Sequence, residues 1–381
     1  MGLSSCFNAQ DIKHRMSWLF KGPVIPQEPL SYNLSCPVSN NIPDHWEFID
    51  YAPADIHVGC IRAHAKGDPK SKITFITGFK SNPSDYNTPQ VRALQRAGIE
   101  IDIIPLPDPG TQIGYLQDNK KIVHALLQSN PPPGGFKEGI PNYIFGHSLG
   151  GRAFISNMLD NDFSDTIEEN YAGAVLIAPH FSSPYRSSPI LNRFYNAYCR
   201  MFSEKSYGEA PLDWTFSAVE SVKKALANNG TSESVYQDRS RITSSPITTE
   251  NTATTHGQIL YSNIEGENLE QRIRDEGVPD SAKDFPLIMI GGSKDFVSCK
   301  NYISNVAEHF DAKFYEFDTY HNPFLESKKA RDLILTAMKD MTDDWHRINI
   351  PQSCTLISEP HNGHHSQVTA SEYEDPMPGL E

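Results

Sequence analysis

The sequence predicts an α/β fold: a mostly parallel central sheet with helices on both faces, interrupted once by a long insertion. Three observations predict it. Short runs that are almost wholly apolar and β-branched, such as "KITFIT" at 72–77 and "AGAVLIAP" at 172–179, recur along the chain. Amphipathic stretches of helical length lie between them. Runs apolar on both sides of the pleat suit strands buried on both faces, as in a parallel sheet covered by crossover helices.

The elements follow in order. Residues 1–40, with Pro-rich connections, read as a loosely ordered extension. From Trp46 to Ala65 near-alternating apolar residues flank a Pro-Ala-Asp turn, which predicts an antiparallel hairpin at one sheet edge. "KITFITGF" (72–79) is a strand, and "NTPQVRALQRAG" (87–98) a helix closed by Gly98. The alternation continues through "IEIDIIPL" (strand), "GYLQDNKKIVHALLQS" (helix), "NYIFGHS" (strand), "LGGRAFISNMLD" (helix) and the strand at 172–179. It resumes with "FPLIMIGG" (strand), a helix over 300–309, "AKFYEFDTYH" (strand) and a last helix, "ESKKARDLILTAMKDM".

Between these blocks, residues 181–284 hold no strongly apolar strand and read as a largely helical cap. Within it, "PILNRFYNAYCRMF" spaces Ile190, Phe194, Tyr198 and either Met201 or Phe202 as one helical face. That face either packs on the main domain or covers a hydrophobic acyl pocket. The expected organisation is an extension (1–40), a core (41–180 and 285–347), a cap (181–284) and a polar disordered tail (348–381).

Composition narrows the function. With 33 Lys and Arg against 47 Asp and Glu, the formal net charge is -14, and no basic stripe is present, so nucleic-acid binding is excluded. No apolar run is long enough to span a membrane and the start lacks a secretory core, so the expected location is cytoplasmic. "MGLSSCF" offers Gly2 and Cys6 as a weak lipidation signal, which would add peripheral membrane contact. The six cysteines lack metal or redox spacing and read as reduced thiols. The histidines of "HNGHH" (361–365) sit in the polar tail without a Cys or carboxylate partner at fixed spacing, so neither a metal nor a cofactor is expected.

The chemistry centres on "PNYIFGHSLGGR" (141–152), where Ser148 lies between Gly146 and Gly150. A G-x-S-x-G string arises by chance about once in eight chains of this length. Its context is more specific. A predicted strand precedes it and a predicted helix follows, the arrangement of a nucleophile elbow, which lifts a serine hydroxyl above a sheet edge and aims a helix N-terminus at it. A serine needs a base, and the base needs an orienting carboxylate. "GGSKDFVSC" sets Asp295 just after one strand, and "FDTYHNPF" sets His321 just after the next. Asp318, Asp284 and Asp311 are rival acids, but Asp295 approaches from a separate rigid element. His147 beside the serine should line the pocket, with Phe194 and Tyr198 contacting substrate, and His180 follows a neighbouring strand. The oxyanion donors expected are the backbone N–H groups of Leu149 and of Phe79, the latter after Gly78.

These motifs, "TGFKSN", "GHSLGG", "GGSKDFV" and "YHNPFLESKKARDLIL", resemble the α/β-hydrolase superfamily over about residues 45–345, and specifically its lysophospholipase and monoacylglycerol lipase-like branch. Thr77-Gly78 departs from the His-Gly of many members and is closer to the bacterial lysophospholipase type. The resemblance implies an α/β-hydrolase fold and a carboxylic-ester hydrolase acting on a single-acyl lipid through an acyl-enzyme on Ser148. Ser148 argues against haloalkane dehalogenases and epoxide hydrolases, which use an aspartate there. Two other readings stay open: another serine hydrolase on this scaffold (aminopeptidase, thioesterase or small-ester esterase), and a non-catalytic protein that binds a lipid or a partner.

Overall fold

A computed structural model describes residues 32–34, 46–51, 56–78, 86–106, 116–128, 139–181, 186, 188–203, 256–295 and 297–349. The predicted tail beyond Asn349 and the Gly2/Cys6 signal lie outside them, as does Phe79. The strands are β1 (Tyr32–Leu34), β2 (Trp46–Tyr51), β3 (Ile56–Ala63), β4 (Ser71–Ile76), β5 (Ile99–Ile104), β6 (Asn142–His147), β7 (Gly173–Ile177), β8 (Leu287–Gly292) and β9 (Lys313–Phe317). The helices are α1 (Pro89–Arg96), α2 (Leu116–Gln128), α3 (Leu149–Met158), α4 (Asn161–Asn170), α5 (Pro189–Met201), α6 (His256–Glu276), α7 (Asp280–Asp284), α8 (Lys300–His309), α9 (Pro323–Glu326) and α10 (Lys328–Asn349).

The strand order is β1-β3-β5-β4-β6-β7-β8-β9, with β2 on the other side of β3. The hairpin expected at the edge is β2 and β3, paired antiparallel from Trp46 opposite Ala63 to Tyr51 opposite Val58. β3 is also antiparallel to β5, and every pair from β5 through β4, β6, β7, β8 and β9 is parallel. A buried carboxylate helps fix the antiparallel register: Asp102 on β5 accepts from Arg62 Nε on β3 at 2.7 Å and pairs with Lys72 Nζ on β4 at 3.0 Å. An unpaired Asp102 there would be costly, so a slip of either strand is disfavoured. This is the α/β-hydrolase fold: a mostly parallel sheet in which β3 and β1, near one edge, run against the other strands, with helices on both faces.

Alternate residues of the central strands feed two cores. Ile76, Ile144, Leu176 and Met289 face one side, with α2, α3, α4 and α8. Ile73, Phe75, Tyr143, Phe145, Val175 and Ile290 face the other, with α1 and α10. Burying both pleat faces explains why these strands read as unbroken apolar runs. α1 begins where Thr88 accepts from Val91 N–H at 3.4 Å, and ends before Gly98 at φ +85.

Several elements differ from expectation. The helix after Ser148 stops at Met158, and a separate helix, α4, follows from Asn161. Asp160, with extended backbone, breaks the two, and Phe163 and Ile167, one turn apart, anchor the second. A strand, β1, lies in the extension and pairs with β3. The last helix runs to Asn349. Of the expected cap, the described residues form α5, α6 and α7. The end of α6 and α7 supply Leu269, Ile273 and Ala282 to the same core as α3 and α4. The face of α5 also differs. Tyr195, Tyr198 and Cys199 are buried against Leu260 of α6, whereas Ile190 is 82% and Phe194 56% exposed. α6 covers α5 on one side only, so a stripe read from spacing was rotated by about one position. Among the described residues, no helix is long and apolar enough to cross a membrane.

Candidate active site

The chain adds β5 on one side of β4 and then returns to place β6 on the other side. Such a reversal opens a crevice at the carboxyl ends of the two strands. Gly78 follows β4 and Ser148 follows β6, so both stand at this point.

Ser148 is the turn residue between β6 and α3, with φ 52 and ψ -112. A non-glycine residue in this region is strained, and the surroundings must hold it. They do so by close approach. A Cβ on Gly150 would lie 2.5 Å from the Ile76 carbonyl oxygen, and one on Gly146 would lie 2.8 Å from Gly151 Cα. A Cβ on Gly78 would lie 2.9 Å from Ser148 Cβ and 3.0 Å from His147 Nδ1. The glycines therefore admit neighbouring backbone, while the serine carries the positive φ. Two backbone bonds fasten it to the end of β7: Ser148 N–H donates to Ile177 O at 2.9 Å, and His180 N–H donates to Ser148 O at 3.1 Å.

α3 begins directly behind the serine, and the first amides of a helix have no intrahelical acceptor. Arg152 N–H closes the first turn onto Ser148 O at 3.1 Å. The Leu149 amide, one expected oxyanion donor, stands at this N-terminus. The other, Phe79, lies outside the described residues, although Gly78 before it lies against Ser148.

Asp295 follows β8 and His321 follows β9, and the two meet. His321 Nδ1 donates to Asp295 Oδ2 at 2.8 Å, with the Asp295 side chain 0% exposed. Its other oxygen, Oδ1, accepts from Val297 N–H at 2.8 Å and Ser298 N–H at 3.0 Å. A carboxylate only accepts, so the proton of a neutral His321 sits on Nδ1 and its Nε2 keeps a lone pair. Asp318, a rival acid, is exposed instead and pairs with Lys294 Nζ at 3.0 Å, which, with a bond from Ser293, holds its carboxyl below the usual range. Asp284 ends α7, and Asp311 is the turn residue after α8.

His147 was expected to line a pocket. It is a buried bridge. Its Nε2 donates to the His321 carbonyl at 3.3 Å, its Nδ1 accepts from Tyr86 O–H at 3.2 Å, and its ring lies 5.1 Å from that of His321. Burial, with His321 adding to it, pushes the His147 pKa down to about 3, so the ring is neutral. This contact joins the residue before Ser148 to the loop carrying His321. Ser148 Oγ and the His321 ring make no hydrogen bond in this structure, and such bonds often tighten only with substrate bound. Tyr198 packs within the α5–α6 cluster, and Phe194 is exposed on α5. Among the described residues, no group of three or more His, Cys, Asp or Glu is arranged to hold a metal.

Sequence reasoning missed two supports. Tyr86 lies in a 3-10 turn before α1 and carries no motif. Arg152 reads as an ordinary polar position on a helix, yet it is 0% exposed and bonds Ser262 O at 2.6 Å and Oγ at 2.7 Å on α6.

No protein-family model matches the chain, and no curated protein matches its sequence. It is similar to the solved structure of a monoacylglycerol lipase from Paleococcus ferrophilus, at 15% identity over 74% of this chain and 98% of that one, with a TM-score of 0.46. A soluble variant of the monoglyceride lipase of Saccharomyces cerevisiae is similar at 14% identity over 82% and 98%, with a TM-score of 0.46. The α/β hydrolase GrgF from Penicillium is similar at 16% identity over 78% and 98%, with a TM-score of 0.49.

Proposed function

We propose that the chain is a serine hydrolase of carboxylic esters, acting on a single-acyl lipid such as a lysophospholipid or monoacylglycerol. The observation that carries this reading is the 2.8 Å contact between Asp295 and His321, two residues 26 positions apart on separate loops, beside a serine at positive φ. Asp295 and His321 meet after β8 and β9, and the contact of His147 with the His321 carbonyl brings this pair toward the turn that carries Ser148, which supports a triad.

In this mechanism His321 Nε2 takes the proton of Ser148 Oγ as the oxygen attacks the ester carbonyl. Asp295 stabilises the imidazolium through Nδ1–H. The Leu149 amide, and that of Phe79, bind the oxyanion. His321 then gives its proton to the departing alcohol, and water, deprotonated by the same Nε2, releases the fatty acid. The exposed apolar side chains of α5, Ile190 and Leu191 among them, support a greasy acyl chain over a small polar one.

A fluorophosphonate probe should label wild-type protein at Ser148 and leave Ser148→Ala unlabelled. A panel of lysophospholipids, monoacylglycerols, acyl-CoA, short esters and aminoacyl anilides should show highest kcat/KM on a single-acyl lipid. Preference for anilides or acyl-CoA would overturn the substrate class, and an unlabelled serine in folded protein would overturn the mechanism.

A further inference from the structure

His180 belongs to none of the catalytic steps above, yet it touches both the serine turn and the loop after Asp295. It lies two residues past a strained alanine, Ala178 at φ 45, whose N–H donates to Ile290 O of β8 at 2.7 Å. The turn brings the His180 amide onto Ser148 O at 3.1 Å. Its ring points to the acid loop: Nδ1 is 3.1 Å from Val297 O and 3.5 Å from Ser298 Oγ. Val297 and Ser298 are the two residues whose amides hold Asp295 Oδ1. On the far side, Nε2 is 3.4 Å from the amide of Asn263 on α6.

Resting on the serine-hydrolase reading, we propose that His180 is a positioning residue that ties the nucleophile turn to the acid loop and so keeps Asp295 aligned on His321. Its chemistry suits the task. Burial, with the charges of Arg152 and His321, pushes its pKa down to about 3, so the ring is neutral with one N–H. Val297 O can only accept, which puts that hydrogen on Nδ1 and leaves Nε2 as an acceptor. Asn263 is 4% exposed, and its Nδ2 has no partner among the described residues. The Asn263 atom facing Nε2 is Oδ1, at 3.4 Å; an acceptor Nε2 requires the amide to be turned over, so that Nδ2 donates to it. α6 therefore backs the ring, and Arg152, one helical turn after Ser148, clamps α6 at Ser262. A ring that only filled space would not need a polar match at both nitrogens.

The test compares wild type, His180→Leu, His180→Gln and Asn263→Leu. Each is read by turnover of a p-nitrophenyl ester, by the rate of fluorophosphonate labelling, by Tm, and by the downfield proton resonance of the Asp295–His321 hydrogen bond. His180→Leu should lower kcat and labelling rate together by about 100-fold, the scale of a small misplacement of a reacting group. KM should stay within about twofold, because ground-state binding is untouched, and the resonance should broaden. His180→Gln, which restores a side-chain N–H donor, should recover most of the rate. Should His180→Leu fail to fold, Asn263→Leu should still broaden the resonance and lower kcat with KM held. Wild-type kcat and resonance in folded His180→Leu, or in Asn263→Leu, would overturn the inference while labelled Ser148 leaves the hydrolase reading standing. An unlabelled wild-type serine would overturn both.

Discussion

Ser148 sits at φ 52, a region that costs a non-glycine residue on the order of 1–3 kcal/mol. In the proposed mechanism this strained turn presents the serine at the helix N-terminus, which sets stability against chemistry at this residue. Ser148→Ala should reduce kcat by on the order of 10⁶ with the circular dichroism spectrum unchanged. Ser148→Gly should be as inactive, yet melt higher, by about 1 kcal/mol of stability in a denaturant titration, because glycine adopts this φ freely. Gly150→Ala should do the opposite. Its new methyl would meet the Ile76 carbonyl at 2.5 Å, backbone that cannot step aside, at a cost of about 1–3 kcal/mol. At this scale the sequence was informative. Ser148, Asp295 and His321 were legible because the order of serine, acid and histidine, each just past a strand, is local information. Tyr86 and Asn263 were not, because their roles depend on contacts with His147 and His180 from distant elements.

α3 is buried along its whole length, between the sheet, α2 and α4. Its only charged side chain, Arg152, is satisfied chiefly by Ser262 of α6, with Glu265 nearby in charge terms. Removing the fully buried guanidinium deletes both bonds to Ser262 and leaves a cavity beneath α6, so Arg152→Ala should destabilise the fold by about 3 kcal/mol. Ser262→Ala, which keeps the bond to the backbone carbonyl, should cost less, about 1 kcal/mol. The double variant should fall short of the sum, and chemical denaturation of all four proteins measures that coupling. Helices were legible in type and poorly in extent. α4 was missed because its polar sequence shows only Phe163 and Ile167 as anchors. The face of α5 was misjudged in part, because periodicity gives a stripe but not its partner: Tyr198 is buried as expected, but Tyr195 rather than Phe194 joins it against α6.

Across the whole molecule, two buried neutral histidines make the fold sensitive to acid. His147 and His180 have pKa values pushed from 6.5 to about 3, so below pH 6.5 the unfolded chain takes up protons that the folded chain refuses. Stability is therefore unaffected above that pH and falls progressively toward pH 3, each histidine adding a slope of up to about 1.4 kcal/mol per pH unit. Urea titrations between pH 7 and pH 4 should show this, and His147→Gln or His180→Gln should each flatten it by about one proton. Ester turnover should also fall on acidification, through protonation of His321 as base. Because the other two rings stay neutral across pH 5–8, that limb should follow one proton; a slope of two would implicate another group.

The sequence by itself determined the alternation of buried strands and helices, and with it the sheet, the elbow and the order of the three reactive groups. These follow from hydrophobic period and from residues at strand ends, which the chain states within a few positions. Only the tertiary structure decided that Asp295 rather than Asp318 contacts His321, which side of α5 is buried, and which groups the rings of His147 and His180 meet. The ring contacts of His147 and His180 join residues 61 to 174 positions apart, set by how strands from different parts of the chain lie side by side. A hydrogen bond requires two groups to meet within a few tenths of an ångström, and no local pattern carries that distance.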